Sequence, residues 1–287
     1  MALLRGNLSR SYTKNRNGRP SGNTSSNPVG TGTLRRRPLH RREEAVRTNS
    51  IIFCIATIIL AGIALSSIGG GTEAAQLQIG IQAGPLYTHS YKLGIIKVRL
   101  APQIALWLED EKGQFITNIY ITYRSATSKW WGGKEIRRPA ALPVWSHRQG
   151  IRYSDGLYMP DREHPLPDAT TGATPKESFN KEWPVPGALS PGKYVVWAEV
   201  NNSFDYNERY QKELPEGSPD FNAENGQPSV VWRGELAMGS KPTKIILSRF
   251  GHGHPMGKDG KIDTNMEGIT DALQIVEGIT VEYLPGK

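Results

Sequence analysis

The sequence predicts a mainly β protein, with an antiparallel β-sandwich in its main part and one long irregular insertion. At least six short runs rich in β-branched and aromatic residues lie between residues 93 and 284. Turns that contain Gly or Pro separate most of these runs, and only TDALQIV (270–276) has the pattern of a helix. Many short strands with almost no helix are typical of two packed antiparallel sheets, here of immunoglobulin-like type.

The first fifty residues form a basic tail. Residues 1–50 contain eleven Arg or Lys and two Glu, a net charge of +9, which exceeds the +8 of the whole chain. Residues 75–287 carry 24 basic and 24 acidic residues, so the main part is neutral, which argues against a nucleic-acid partner. Because residues 6–34 have almost no apolar side chains, we expect the tail to be disordered.

An apolar segment follows the tail. Residues 51–70 (IIFCIATIILAGIALSSIGG) contain no charged side chain, and their strongly apolar part, about eighteen residues, suits a transmembrane or signal helix. Arg41, Arg42 and Arg47 precede the segment and keep the tail in the cytoplasm by the positive-inside rule. The sequence therefore predicts a cytoplasmic tail (1–50), a membrane segment (51–70) and an exported domain (75–287), periplasmic or extracellular, with the membrane as a partner.

Whether the segment is cleaved stays open. Small residues at Thr72 and Ala74 match the positions that a signal peptidase reads, so cleavage after Ala74 would release the domain into the periplasm. A fifty-residue region before a signal is unusually long, and translation from near Val46 is a second hypothesis. The only cysteine, Cys54, lies inside the segment, so we expect the exported domain to fold without a disulfide.

The strand runs of the exported domain alternate between apolar and other residues. Residues 103–123 form two runs around a turn at 111–113, which predicts a hairpin with one buried face. Residues 191–201 begin with a Pro-Gly turn and place Tyr194, Val196, Ala198 and Val200 on one face. Further strands are predicted at 93–101, 229–236, 243–250 and 278–284.

Residues 124–190 interrupt this pattern with a long stretch that is rich in Pro, Trp and Arg and has no periodicity. Compact domains seldom contain such a loop without a function. Over most of residues 100–285, the order of elements resembles a family of predicted periplasmic proteins of unknown function with an immunoglobulin-like fold. The resemblance depends on WLEDEKGQFI (107–116), LPVWSH (142–147), PDATTGATP (167–175), PGKYVVWAEVNNSFDYN (191–207), GQPSVVW (226–232), GHGHPMGKDGKI (251–262) and ITDALQIVEGITVEY (269–283). It implies the fold and the compartment but no mechanism, and the long basic tail departs from the family's simple signal.

A shorter motif lies within the irregular stretch. Asp168, Thr171, Gly172, Ala173 and Thr174 fit the pattern D-x-x-[ST]-G-A-T. It resembles the acceptor motif of proteins that a flavin transferase modifies outside the cytoplasm, and the resemblance implies FMN joined through its phosphate to Thr174. Small residues at 172 and 173 leave the hydroxyl accessible, and Asp168 and Thr171 can hold the loop by hydrogen bonds. The alternative is a rigid structural loop without a cofactor.

Aromatic residues of the same region could cover a flavin ring or seal one end of the sandwich. They are Trp130, Trp131, Trp145, Tyr153, Tyr158 and Trp183.

His252 and His254 are two positions apart, which on a strand places both on one face and makes them weak candidates for a metal site with His147 or His164. Hydrogen bonding within a loop is the alternative that we favour.

No nucleophile elbow or nucleotide-binding glycine motif is present, so we assign no catalytic residue and expect a carrier or a binding module rather than an enzyme. One hypothesis is an electron carrier with covalent FMN, served by a flavin transferase and redox partners. The other is a non-catalytic module that holds a glycan, a peptide or a membrane, for which NNSFDYN (201–207) supplies polar groups around Tyr206.

Overall fold

The structure is a computed structural model that describes residues 73–130, 136–167, 171–222 and 224–287. The predicted tail (1–50) and membrane segment (51–70) lie outside these residues. Within the described part of the chain, no helix combines the length and the apolar character needed to cross a membrane.

The described residues form twelve strands, which confirms a mainly β protein. The strands are β1 (Gln76–Ala83), β2 (His89–Leu93), β3 (Ile96–Leu100), β4 (Gln103–Asp110), β5 (Phe115–Thr122), β6 (Thr171–Gly172), β7 (Phe179–Pro184), β8 (Gly192–Asn201), β9 (Val230–Met238), β10 (Thr243–Ile246), β11 (Ser248–His252) and β12 (Val276–Leu284). The helical elements are α1 (Tyr123–Thr127), α2 (Pro143–Gln149) and a 3₁₀ helix (Asp271–Gln274).

Two large sheets enclose the main core. The first has the strand order β10-β12-β1-β7, and the second has the order β11-β9-β8-β4-β5-β6, with a separate hairpin of β2 and β3. All neighbouring strands pair antiparallel except β5 and β6, which are parallel. Leu77, Ile79 and Ile81 of β1 point inward because side chains alternate along a strand, and they share one buried cluster with residues such as Ile104 and Leu106 of β4.

The predicted hairpin at 103–123 is confirmed as β4 and β5, but both of its faces are buried along β4. Trp107 lies on the face that points away from the main core, and it shares a second buried cluster with Trp145 of α2 and Trp197 of β8. The irregular stretch therefore covers the outer face of the six-stranded sheet with α1 and α2. The prediction that only one face of this hairpin is buried is therefore wrong.

The two ends of the domain differ in the length of their connections. One end holds the β4–β5 turn and both ends of the described domain, where the amide of Lys287 donates to the carbonyl oxygen of Glu73 at 3.0 Å. Strand directions bring every long connection to the opposite end, which we call the long-loop end. Its described residues are 84–102, 123–130, 136–167, 202–222, 224–229 and 253–275. Loops supported by a rigid scaffold are where binding residues concentrate, so this end is the place to search.

Candidate functional site

Polar side chains are buried where β4, β8 and β9 meet the long-loop end. Each of them is at most 5 % exposed, although strand termini of this kind are usually hydrated. Buried polar groups are retained where they hold a loop or a ligand in one arrangement. The set comprises Gln103, Glu199, Asn201, Asn202, Ser203, Asn225, Gln227 and Ser229.

The D-x-x-[ST]-G-A-T loop is fixed to the edge of the six-stranded sheet at this end. Thr171 and Gly172 pair in parallel with Ile121 and Thr122 as strand β6. A Cβ atom on Gly172 would lie 2.7 Å from Cε2 of Tyr120, so the glycine is needed for contact with that ring. Asp168 falls outside the described residues.

Tyr120 also holds the next residue of the loop. Its hydroxyl donates to the carbonyl oxygen of Ala173 at 3.2 Å. Burial raises the pKa of Tyr120 to about 12, so the phenol keeps its proton and remains a donor at neutral pH. The loop is therefore anchored through backbone atoms up to Ala173.

Beyond this anchor, Ala173 is exposed and Thr174 is half-buried. Among the described residues, no group forms a hydrogen bond with the Thr174 hydroxyl. This arrangement presents a threonine hydroxyl on a loop of fixed backbone, with no larger side chain at 172 or 173 to cover it. It is compatible with modification of Thr174 and equally with a structural loop.

Tyr123 is an aromatic residue near the loop that sequence reasoning missed. It follows Thr122, the strand partner of Gly172, and begins α1. Its side chain is 40 % exposed, and the Lys129 ammonium lies 5.7 Å from its ring centroid. Tyr123 lies near the loop because β5 pairs with β6. A two-residue strand such as β6 leaves no periodic pattern in the sequence, so this neighbourhood could not be predicted.

The aromatic residues predicted around a flavin are mostly core residues. Trp130, Trp145 and Trp183 are 5 %, 1 % and 6 % exposed, and Trp145 donates its indole N–H to Oδ1 of Asn118 at 2.8 Å. Tyr158 stacks on His147 with ring centroids 4.3 Å apart, and Tyr153 lies 5.6 Å from the Arg137 guanidinium. Trp131 falls outside the described residues. Burial favours packing for the three described tryptophans.

The histidines are engaged in loop contacts. His252 ends β11, whereas His254 lies in the loop that follows, so the expectation that both share one strand face is wrong. His252 Nδ1 lies 2.8 Å from the carbonyl oxygen of Gly253 and its Nε2 lies 3.9 Å from Oδ2 of Asp263. The Met256 amide donates to Nδ1 of His254 at 3.0 Å. Burial lowers the pKa of His254. In the described ranges, no three His, Cys, Asp or Glu side chains lie together as metal ligands would.

A buried glutamate, which sequence reasoning also missed, fixes α2 to the sheet. The Glu199 carboxylate accepts the amide N–H groups of Val144 at 3.2 Å and Trp145 at 2.7 Å, in the first turn of α2. It also accepts the Ser229 hydroxyl at 2.5 Å. Burial raises the pKa of Glu199 to about 7, against the effect of these three donors. The role of Glu199 is therefore to position the insertion that covers the sheet.

We expect Gly172→Ala to detach β6 from β5. The new Cβ would overlap the Tyr120 ring, and relief of such a clash costs about 1–3 kcal/mol. Hydrogen exchange at Ile121 and Thr171 should accelerate about tenfold or more. Gly187→Ala is the matched control, since an added Cβ at Gly187 meets no atom within 4 Å. Equal exchange in the two variants would show that the Tyr120 contact does not hold the loop.

Comparison of the chain with protein-family models, curated proteins and solved structures finds no match. The arguments for function therefore depend on the residues themselves.

Proposed function

We propose that this protein is an exported, membrane-tethered electron-transfer component that carries FMN esterified to Thr174. The observation that supports it is a half-buried Thr174, with no hydrogen-bond partner for its hydroxyl among the described residues, directly after a loop whose backbone Tyr120 holds. An immunoglobulin-like sandwich is part of the proposal, supported by two mainly antiparallel sheets around one core. The charge-free segment 51–70 and the basic residues before it support export, with a periplasmic domain if the segment is cleaved.

The residues around Thr174 fit a nucleotide ester in size. Attachment would replace the hydroxyl proton of Thr174 by the phosphorus of FMN, while the phosphoanhydride bond of the donor, flavin adenine dinucleotide, breaks. AMP leaves with the bond electrons, and a base of the transferase takes the proton. Since Ala173 is small and exposed, it leaves room for the transferase and the nucleotide to approach the oxygen, whereas the space beside Gly172 is taken by the Tyr120 ring. Tyr120 and the β5–β6 pairing keep the backbone in one conformation during this approach.

Once attached, the flavin supplies the one- or two-electron chemistry, and the chain orients it. Tyr123 offers an exposed ring beside the loop, suited to contact with a planar aromatic group. Lys129 adds a positive charge near the same ring, which would favour negative charge on a flavin bound there. Lys176, two residues after Thr174, adds a second exposed positive charge close to the attachment point.

The test is co-expression of the full chain with a flavin transferase, followed by denaturing electrophoresis and ultraviolet illumination. We expect a fluorescent band whose mass exceeds that of the chain by one FMN less water. Thr174→Val should abolish the fluorescence, because valine has the same shape but no oxygen to esterify. Thr174→Ser is the control and should keep the signal.

A fluorescent Thr174→Val band would contradict the proposal. So would a wild-type band without fluorescence when the same transferase modifies its own known acceptor in parallel.

A non-catalytic binding module is the second candidate. The observation that favours it is an open cleft beside Tyr206, in the segment 201–207. The two functions are compatible in one chain, since the cleft residues and the acceptor loop are different.

A further inference from the structure

Phe204 has a backbone conformation that bulky residues rarely adopt. Its φ angle is 60°, in the left-handed region, where among the described non-glycine residues only Ser128 joins it. A side chain with a large Cβ substituent costs about 1–2 kcal/mol in this region. Strain of this kind persists where the surrounding structure enforces it, and it is concentrated at functional sites.

The Phe204 ring lies near two tyrosine rings. Phe204 stacks on Tyr91 of β2, with ring centroids 4.2 Å apart and an interplanar angle of 14°. Its other aromatic neighbour is Tyr206, at 6.5 Å and 44°. The three rings form a continuous aromatic group, which we call the 91–204–206 group, at the junction of the β2–β3 hairpin and the loop 202–229.

An open cleft of about 570 Å³ lies against this group. Its size falls within the range of ligand sites in proteins, about 300–1,000 Å³. Two tyrosines contribute the aromatic wall, and the rest of the lining is polar. The lining residues are Tyr91, Tyr206, Asn207, Glu208, Gln211, Lys212 and Glu213.

The polar residues of the cleft are of two kinds: some hold the rim by hydrogen bonds, and others are available to a ligand. The Asn207 amide donates to the carbonyl oxygen of Gly268 and to Thr270, and it accepts two backbone N–H groups, so its role is to hold the rim. Glu208 and Glu213 are exposed, and within the described ranges their carboxylates have neither an ion pair nor a hydrogen bond. The Lys212 ammonium donates to the Tyr91 hydroxyl at 3.4 Å. The cleft therefore presents free carboxylate acceptors beside aromatic rings.

We propose that this cleft binds a carbohydrate chain. A pyranose ring has an apolar C–H face that packs on an aromatic ring, while its hydroxyl groups donate to carboxylates at the edge. The cleft is open, so it can take one part of a longer chain, and its one cation and two anions do not demand a charged ligand. A glycan site here would hold the exported domain at an extracellular polysaccharide, whether or not Thr174 carries FMN.

The test uses the full chain in a polyoxyethylene detergent, since a sugar detergent would compete for the site. Binding is measured by titration calorimetry with two soluble probes, oligomers of β-1,4-linked N-acetylglucosamine and oligomers of β-1,4-linked glucose. We expect one of them to bind. Tyr91→Ala and Tyr206→Ala should each weaken that binding at least about tenfold, which corresponds to loss of one ring contact.

Three controls separate the stacking from the fold. Tyr91→Phe keeps the ring and should bind within about twofold of the wild type, because only the hydroxyl contact with Lys212 is lost. Tyr158→Ala removes another half-buried, stacked tyrosine outside the cleft and should leave the affinity unchanged. Circular dichroism establishes that each variant is folded before it is titrated.

Two results would overturn the proposal. One is the absence of binding to both probes by the folded wild type. The other is binding of oligolysine that Glu208→Gln and Glu213→Gln abolish and Tyr206→Ala does not change, which would identify an acidic docking site for a cationic peptide instead.

Discussion

Replacing Glu199 by alanine is expected to lower the free energy of unfolding by about 4 kcal/mol. Removal of one partner from a buried polar network typically costs about 3–5 kcal/mol. The substitution removes the acceptor for two amide groups of α2 and for the Ser229 hydroxyl, all of which are buried. Each buried donor without a partner costs about 1–3 kcal/mol. Because Pro143 begins α2 and supplies no N–H of its own, Val144 and Trp145 are the first donors of the helix and depend on this carboxylate.

Urea denaturation of the purified protein at about pH 6 measures this loss. Ser229→Ala is the matched control: it removes only one of the three donors and leaves the carboxyl group of Glu199, so we expect about 1 kcal/mol. A loss for Glu199→Ala that does not exceed that of Ser229→Ala would show that α2 does not depend on the carboxylate.

The same carboxylate predicts the direction of the pH dependence. The pKa of Glu199 is raised from 4.5 to about 7 by burial, so the folded state binds a proton that the unfolded state releases between these values. Stability from this group is complete below pH 4.5 and is lost as the pH rises to about 7, by roughly 3 kcal/mol. Asp205 acts in the same direction, because burial and the nearby Asp271 raise its pKa to about 7. Glu199→Gln should therefore flatten the fall of stability between about pH 5 and about pH 8 without removing it.

The alternating pattern predicted where strands lie better than it predicted what covers them. The β4–β5 hairpin follows from alternation and from the turn at Gly113, which has a φ of 78°. Alternation could not show that α2 buries the outer face of β4, because an aromatic residue such as Trp107 also suits a half-exposed strand. The insertion has no periodicity in its sequence, and described residues such as Trp145 are held by individual contacts, here a hydrogen bond with Asn118.

Residues 243–250 show a second limit. They read as one strand, but the structure divides them into β10 and β11, which belong to different sheets. Leu247 is the residue at which the chain changes sheets, and its amide donates to the carbonyl oxygen of Ile279 at 2.9 Å while its side chain stays buried. A crossover that keeps the apolar residue buried leaves the alternation almost unchanged, so a sequence pattern cannot reveal it.

The sequence predicted the candidate site only as a loop motif, without the residues elsewhere in the chain that surround or support it. The motif identified residues 171–174, and small residues there have a further, structural reason, since Gly172 contacts the Tyr120 ring. The roles of Tyr123 and Glu199 depend on contacts between segments that are distant in the chain. Neither residue belongs to a motif, and Glu199 reads as an ordinary outward-facing residue of strand β8. Charge in the middle of a strand between apolar neighbours is the signal that could have identified it.

Arg138→Ala is expected to lower the free energy of unfolding by about 3 kcal/mol, for loss of a buried, charged hydrogen-bond donor that also packs on aromatic rings. Arg138 is 9 % exposed, and its guanidinium lies 4.8 Å from the Trp130 ring centroid and 5.9 Å from that of Phe204. It donates to the Ser203 hydroxyl at 3.1 Å, while burial lowers its pKa and the charge of Glu224 opposes that shift. The substitution leaves Glu224 without this nearby cation and Phe204 without support on one side. Chemical denaturation measures the loss, and Arg138→Lys should not restore it, because lysine has no planar group to lie over the rings.

Arg137→Ala is the matched control at the neighbouring position. The Arg137 side chain is 17 % exposed, and it pairs at 2.6 Å with Asp155, which is 37 % exposed. It also donates to the carbonyl oxygen of Met159. Because this pair is partly exposed, we expect a smaller loss, about 1–2 kcal/mol. If Arg138 also maintains the strained conformation of Phe204, Arg138→Ala should weaken binding of the β-1,4-linked glycan about fivefold or more, whereas Arg137→Ala should not. Equal effects of the two substitutions on stability would show that the contacts of Arg138 with the rings add nothing. Loss of stability without loss of glycan affinity would show instead that the 91–204–206 group keeps its geometry through the tyrosines alone.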